Sequence, residues 1–174
     1  MKKMSTKMLV EAGVMIGLAQ ILSYIKVYEG PFGGSVTAGS MVPIILYAIR
    51  WGVSPGLFVA SVYGLLQFIL GPKYSYHVLS IILDYVGAFG LLGLAGLFRN
   101  SFKGVLLGTC LGIFGRFVSH VLSGVILWAS YAPDGMNPWI YSILYNSGYL
   151  LPELLISLCV VGVLYKSFRI LAVV

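Results

Sequence analysis

Charge is scarce in this chain. Only 9 % of its 174 residues are Asp, Glu, Lys or Arg, where a soluble domain carries about 25 %. There are five acidic residues, two histidines and two cysteines. No Cys, His, Asp or Glu set has metal-ligand spacing, so no metal is expected. No Walker motif and no serine-nucleophile elbow occurs, which excludes a nucleotide hydrolase and an α/β-hydrolase and leaves no cofactor to expect. Cys110 and Cys159 each sit inside an apolar run and read as packing residues, not as a disulfide. No internal repeat and no shift of composition divides the chain, so residues 1–174 are expected to form a single transmembrane domain.

What the chain has in excess is apolar surface. It is 59 % hydrophobic, with a mean hydropathy of +0.97. A water-soluble fold of this length leaves too much area exposed to hide that composition. The net charge of +6 does not indicate nucleic acid, because the basic residues lie at the ends of apolar runs and form no patch with polar neighbours. The basic, then apolar, start at residues 1–10 resembles a signal peptide, but no small-x-small cleavage site follows and it reads as a retained first span.

The fold class expected is an all-α integral membrane protein: a bundle of six transmembrane helices with N- and C-termini cytoplasmic. The spans lie near 8–25, 37–50, 55–70, 77–98, 103–130 and 138–168, helix 2 being short for a crossing and helices 5 and 6 long. Ser54-Pro55 and Asn137-Pro138 read as N-caps followed by a first-turn proline. Pro43 and Pro152 fall inside helices 2 and 6 and should bend them. With the N-terminus inside, Lys2, Lys3, Lys7, Arg50, Arg99, Lys103, Lys166 and Arg169 are cytoplasmic, and only Lys26 and Lys73 lie outside, beside Glu29 and Asp134. Glycines 87, 90, 93 and 96 of helix 4 and 108, 112 and 115 of helix 5 are read as close-packing positions.

Ionisable residues at membrane depth are costly and each is a functional candidate: Glu11, Asp84, Arg116, His120 and Glu153. At about 1.5 Å per residue, Asp84 lies about 10 Å and His120 about 15 Å below the outer end of its helix, and Tyr141 and Asn146 lie within about 10 Å of the outer surface. Tyr85 and Trp128 share this level. His120, Gly124 and Trp128 recur every four residues, so the glycine should leave a slot for a flat ring between imidazole and indole. Arg116 is expected to form a structural ion pair with Glu153, with Asp84 as the competing partner. Glu11 can snorkel to the cytoplasm. An acidic, aromatic pocket suits an aromatic cation, through stacking, cation–π attraction and the counter-charge of Asp84. For single residues the plainer readings are an interfacial aromatic belt and a packing histidine.

Three elements in order, Leu83-Asp84-Tyr85 with Gly93-Leu94-Ala95-Gly96-Leu97-Phe98-Arg99 downstream, His120-x7-Trp128 and Tyr141-x4-Asn146, resemble the thiamine-specific substrate-binding subunits (S-components) of energy-coupling factor transporters. The resemblance covers nearly the whole chain. It implies a six-helix fold with a thiamine pocket on the outer side, in which Asp84 faces the ligand, Trp128 stacks on it, and His120, Tyr141 and Asn146 line the rest. It implies a lid at about Lys26–Ser35, with Tyr28 and Phe32 as its apolar plug; a flexible loop is the alternative. It implies a transmembrane coupling subunit and two cytoplasmic ATPase subunits as partners, with toppling of the S-component in the lipid bilayer. Gly13-x3-Gly17 on helix 1 matches the place the family uses for docking; contact within the chain is the alternative. Two departures stand out. The acid is Asp, one methylene shorter than the Glu of some members, and Gly34–Ser40 has no carboxylate where some members carry one. The rival functions are a solitary proton-coupled carrier using Asp84 or Glu153, and an intramembrane enzyme with Asp84 and His120 as acid and base.

Overall fold

The computed structural model describes residues 4–168. Six helices run in sequence: α1 (Thr6–Tyr24), α2 (Val42–Trp51), α3 (Val53–Leu70), α4 (Val78–Phe98), α5 (Phe102–Leu127) and α6 (Pro138–Phe168). All but α2 are long and apolar enough to cross a bilayer. Their outer faces carry exposed Leu9, Val14 and Ile21 on α1, Phe58, Val62 and Ile69 on α3, and Leu144, Leu151 and Leu155 on α6, a surface that suits lipid and not water.

Helix 2 does not begin where the hydropathy pattern places it. Residues Ser35–Thr37 are instead the strand β2, paired antiparallel with β1 (Lys26–Glu29) in register Glu29↔Ser35, Tyr28↔Val36 and Lys26↔Thr37. The turn between them is closed by Gly30 N–H to the Gly34 carbonyl at 2.6 Å, with Gly33 at φ 93°. The ten-residue α2 is only about 15 Å long, half of the hydrocarbon thickness, and seven of its residues are buried. Irregular backbone at this depth is tolerated where it is enclosed by protein or lines a cavity, and residues 33–40 do the latter. Pro43 sits in the first turn of α2, where its missing N–H breaks no bond, so it bends nothing. Pro152 lies inside α6 as expected.

The caps explain other boundaries. Ser5 and Ser101 accept from the N–H groups of Met8 and Gly104, and Asn137 Oδ1 accepts from Trp139 N–H at 2.9 Å. Ser54 is not a cap: Gly52, at φ 93°, turns the chain directly from α2 into α3.

Helix α4 is wound in three ways. Residues 81–86 form a π-turn, Gly87 N–H reaching back to the Ile82 carbonyl, and Leu91–Phe98 is a 3₁₀-helix. A 3₁₀-helix has three residues per turn, so the three-residue spacing of Gly90, Gly93 and Gly96 keeps them on one side. A Cβ at Gly90 would strike Ser61, at Gly93 the backbone of Gly56 and Leu57, and at Gly96 that of Ala48, Gly52 and Val53. Against its other side, Gly108 and Gly112 of α5 leave room for Ala95 and Leu92. Glycine here fixes where α4 sits between α3 and α5.

Lys7, Arg50, Arg99, Lys103 and Lys166 lie at one end of the bundle. Arg50 pairs with Glu11 at 3.3 Å, which gives Glu11 a partner inside the protein, and Arg99 donates to the Arg50 carbonyl at 3.2 Å. The positive-inside rule assigns this end to the cytoplasm. Lys2, Lys3 and Arg169 lie outside the described residues. Replacing Gly93 by alanine should destabilise the protein by about 1–3 kcal/mol through overpacking, seen as a lower melting temperature in detergent. An unchanged melting temperature would show that the α3–α4 contact has slack.

Candidate functional site

At the other end of the bundle, helices α3 to α6 and the β1–β2 hairpin enclose a cavity of about 240 Å³. Asp84, Tyr85, His120, Gly124, Trp128, Tyr141 and Asn146 all border it, as do Arg116 and Glu153. Helical spacing and the depth of the ionisable groups therefore bring the sequence candidates to one place.

The π-turn carries Asp84 and Tyr85. Asp84 is held by three neighbours: Ser80 Oγ–H and Ser123 Oγ–H donate to Oδ2 at 2.8 and 2.6 Å, and His120 Nδ1 meets Oδ1 at 3.1 Å. Ser119 Oγ–H donates to the Leu83 carbonyl at 2.6 Å, tying α4 to α5 beside this carboxylate. Arg116 Nε–H donates to His120 Nε2 at 3.3 Å. Since Nε2 accepts, the imidazole is neutral, with its proton on Nδ1 directed at Asp84. Arg116, His120 and Asp84 thus form one chain of charge-assisted hydrogen bonds.

The expected Arg116–Glu153 ion pair is not formed, nor is one between Arg116 and Asp84, among the described residues. Arg116 instead lies with its guanidinium carbon 4.0 Å from the centroid of the Phe89 ring. Glu153 is engaged elsewhere: its Oε1 accepts from the Thr37 N–H at 2.5 Å and the Thr37 hydroxyl at 2.6 Å. Strand β2, unforeseen in the sequence, supplies the partner.

Helix α6 presents Tyr141, Tyr145 and Tyr149 at four-residue spacing. Tyr141 and Tyr145 stack at 6.2 Å, and Tyr149 O–H donates to Asn146 Oδ1 at 2.6 Å. Asn146 Nδ2 donates to the Ser142 carbonyl at 2.8 Å, so its amide is fixed from both ends. The Tyr145 hydroxyl accepts from Phe32 N–H at 3.3 Å and Gly34 N–H at 3.2 Å, fastening the hairpin turn over the cavity. Phe32 stacks on Tyr131 at 4.6 Å, and Tyr131 on Trp128 at 5.5 Å, both nearly parallel. Phe32 is part of this cover. Tyr28 is exposed and lines a separate surface pocket with Pro31 and Leu144.

Gly124 does not leave a slot. A Cβ there would collide with the Ser142 side chain, so the glycine serves the approach of α6 to α5. Of the lining residues not foreseen, Tyr145 and Tyr149 continue the four-residue spacing from Tyr141 and were legible by that rule. Ser80, Ser123 and Thr37 carried no signal beyond ordinary polarity.

Five helices long and apolar enough to span a bilayer, four of them closing with the hairpin around a cavity of hydrogen-bonded polar groups and stacked rings, define a multi-pass membrane protein with an enclosed cavity at the end opposite its basic residues. The family model of the thiamine transporter protein (Thia_YuaJ) matches residues 9–172, and the chain belongs to that family. The thiamine transporter ThiT of Bacillus subtilis (strain 168) is 33 % identical, over 91 % of this chain and 90 % of its own. ThiT of Lacticaseibacillus paracasei (strain ATCC 334) is 32 % identical, over 90 % and 85 %. The solved structure of ThiT from Listeria monocytogenes superposes with a TM-score of 0.84 at 25 % identity, covering 94 % of this chain and 96 % of that one. The chain is thus a multi-pass membrane protein of a transporter family, not an enzyme.

Replacing Ser123 by alanine removes one donor from the Asp84 carboxylate and should cost about 1.5–3 kcal/mol of stability. Thermal unfolding in detergent measures it; a loss no larger than that of an exposed Ser→Ala control would show that the bond carries little.

Proposed function

We propose that this chain is the thiamine-binding S-component of an energy-coupling factor transporter, capturing thiamine from outside in the cavity under the hairpin. The observation that carries the reading is that one cavity is lined both by the hydrogen-bonded carboxylate of Asp84 and by the rings of Trp128, Tyr131, Tyr141 and Tyr145. Thiamine is two flat heterocycles joined by a methylene, one of them cationic. Rings offer stacking and cation–π attraction of about 2 kcal/mol when desolvated. Asp84 Oδ1, which accepts only from His120, keeps a lone pair for a donor on a heterocycle edge. The hairpin, hydrogen-bonded to Tyr145, is suited to act as the lid.

Purified protein titrated with thiamine should show quenched tryptophan emission. Trp128→Ala should weaken binding about thirtyfold, the equivalent of that 2 kcal/mol, and Asp84→Asn should weaken it as well, because an amide NH₂ then faces a carboxylate's hydrogen-bonding environment. Unchanged affinity in both variants would remove this cavity as the site.

The chain carries no Walker motif, and the resemblance to S-components implies that the driving force comes from a transmembrane coupling subunit and two cytoplasmic ATPase subunits. Gly13 and Gly17 support α1 as their docking face: both are exposed, and no atom lies within 4 Å of where a Cβ would sit at either. Small residues on a lipid-facing stripe permit close helix contact. Gly13→Trp or Gly17→Trp should abolish ATP-driven uptake in cells and leave thiamine affinity intact. Normal transport by both variants would place docking elsewhere, and uptake by the chain alone in liposomes would instead support a solitary carrier.

A further inference from the structure

Two carboxylates border the cavity, and their surroundings differ. Both oxygens of Asp84 are occupied, by Ser80, Ser123 and His120. Its charge is also offset: Arg116 donates to His120, which donates to Asp84, so the three groups together are neutral. Glu153 is different. It is 2 % exposed, its Oε1 is taken by Thr37, and its Oε2 is buried with no hydrogen-bond partner among the described residues. A buried ionised carboxylate without a counter-charge is costly. Lys26, which also lines the cavity, is bound at 2.6 Å to Glu29 and cannot serve both. With Lys26 held by Glu29 and Glu153 ionised, Asp84, Arg116, His120 and Glu153 together carry one negative charge, and it lies at Glu153.

We infer that Glu153 is the counter-charge for the cationic ring of the ligand, the residue that makes the cavity select a monocation over a neutral molecule of the same shape. This deepens the thiamine reading above and rests on it. Because the other oxygen of Glu153 holds the end of β2, the same side chain joins the charge of the ligand to the seating of the hairpin.

The test compares thiamine with its uncharged isostere, in which carbon replaces the ring nitrogen of the thiazolium, both titrated by tryptophan quenching. The unmodified protein should prefer thiamine. Glu153→Gln keeps a carbonyl oxygen for Thr37 and loses the charge; it should weaken thiamine about tenfold or more and leave the isostere nearly unchanged. Glu153→Asp, which keeps the charge, should restore most of the preference. Equal losses of both ligands in Glu153→Gln, or no loss of either, would overturn the inference; the second outcome is what a neutral, protonated Glu153 would produce. An unmodified protein that binds both ligands equally would overturn it without any variant. If the unmodified protein binds neither, it is the thiamine reading that fails.

Discussion

Inside a bilayer no water is at hand to satisfy a buried polar group, so each must find its partner in the protein. Asp84 is where that demand is most fully met here, by three hydrogen bonds, and the arrangement around it follows from meeting it. Ser80 lies one turn earlier on the same helix, and Ser123 and His120 come from α5. A carboxylate held this way is fixed in direction as well as in charge. The two helices that supply its donors are thereby tied together by hydrogen bonds at the level where the cavity opens.

The cavity itself exists because one helix is missing its outer half. Where α2 would continue outward, the chain is a strand and a turn, and its backbone N–H groups are answered by side chains of α6: Thr37 by Glu153, Phe32 and Gly34 by Tyr145. The hairpin is therefore tied to the far wall through hydrogen bonds and through the Phe32–Tyr131–Trp128 stack. These are few contacts, confined to one edge, and β1 is exposed along its whole length. Segments with so little buried surface are the ones that open first.

Much of this was legible from residues alone, for physical reasons. Asp84, His120, Trp128, Tyr141 and Asn146 converge because charge and amide at membrane depth are expensive and because helical spacing sets their level. The family resemblance rested on the same residues. Two of the errors share a cause. Pro43 and the Arg116–Glu153 pair were read as though helix 2 were regular and all partners lay on helices; Gly124 was read without the Ser142 side chain that α6 sets against it. Eight apolar residues in ten from Val42 to Trp51 do not reveal that the preceding residues are a strand, since short apolar runs fit either state. The π-turn at Ile81–Val86 has no sequence signature either, whereas the 3₁₀ segment left one, in glycines spaced by three instead of three and four.

That tight winding alters the reach of α4. Eight residues at about 2.0 Å each cover about 16 Å, where ordinary winding would cover about 12 Å. The glycine-rich half thus gains about 4 Å of height, less than one turn, without adding residues. Stretching one element is a way to meet hydrophobic thickness besides lengthening or tilting it, and a thicker membrane would favour the drawn-out form while a thinner one would favour its relaxation.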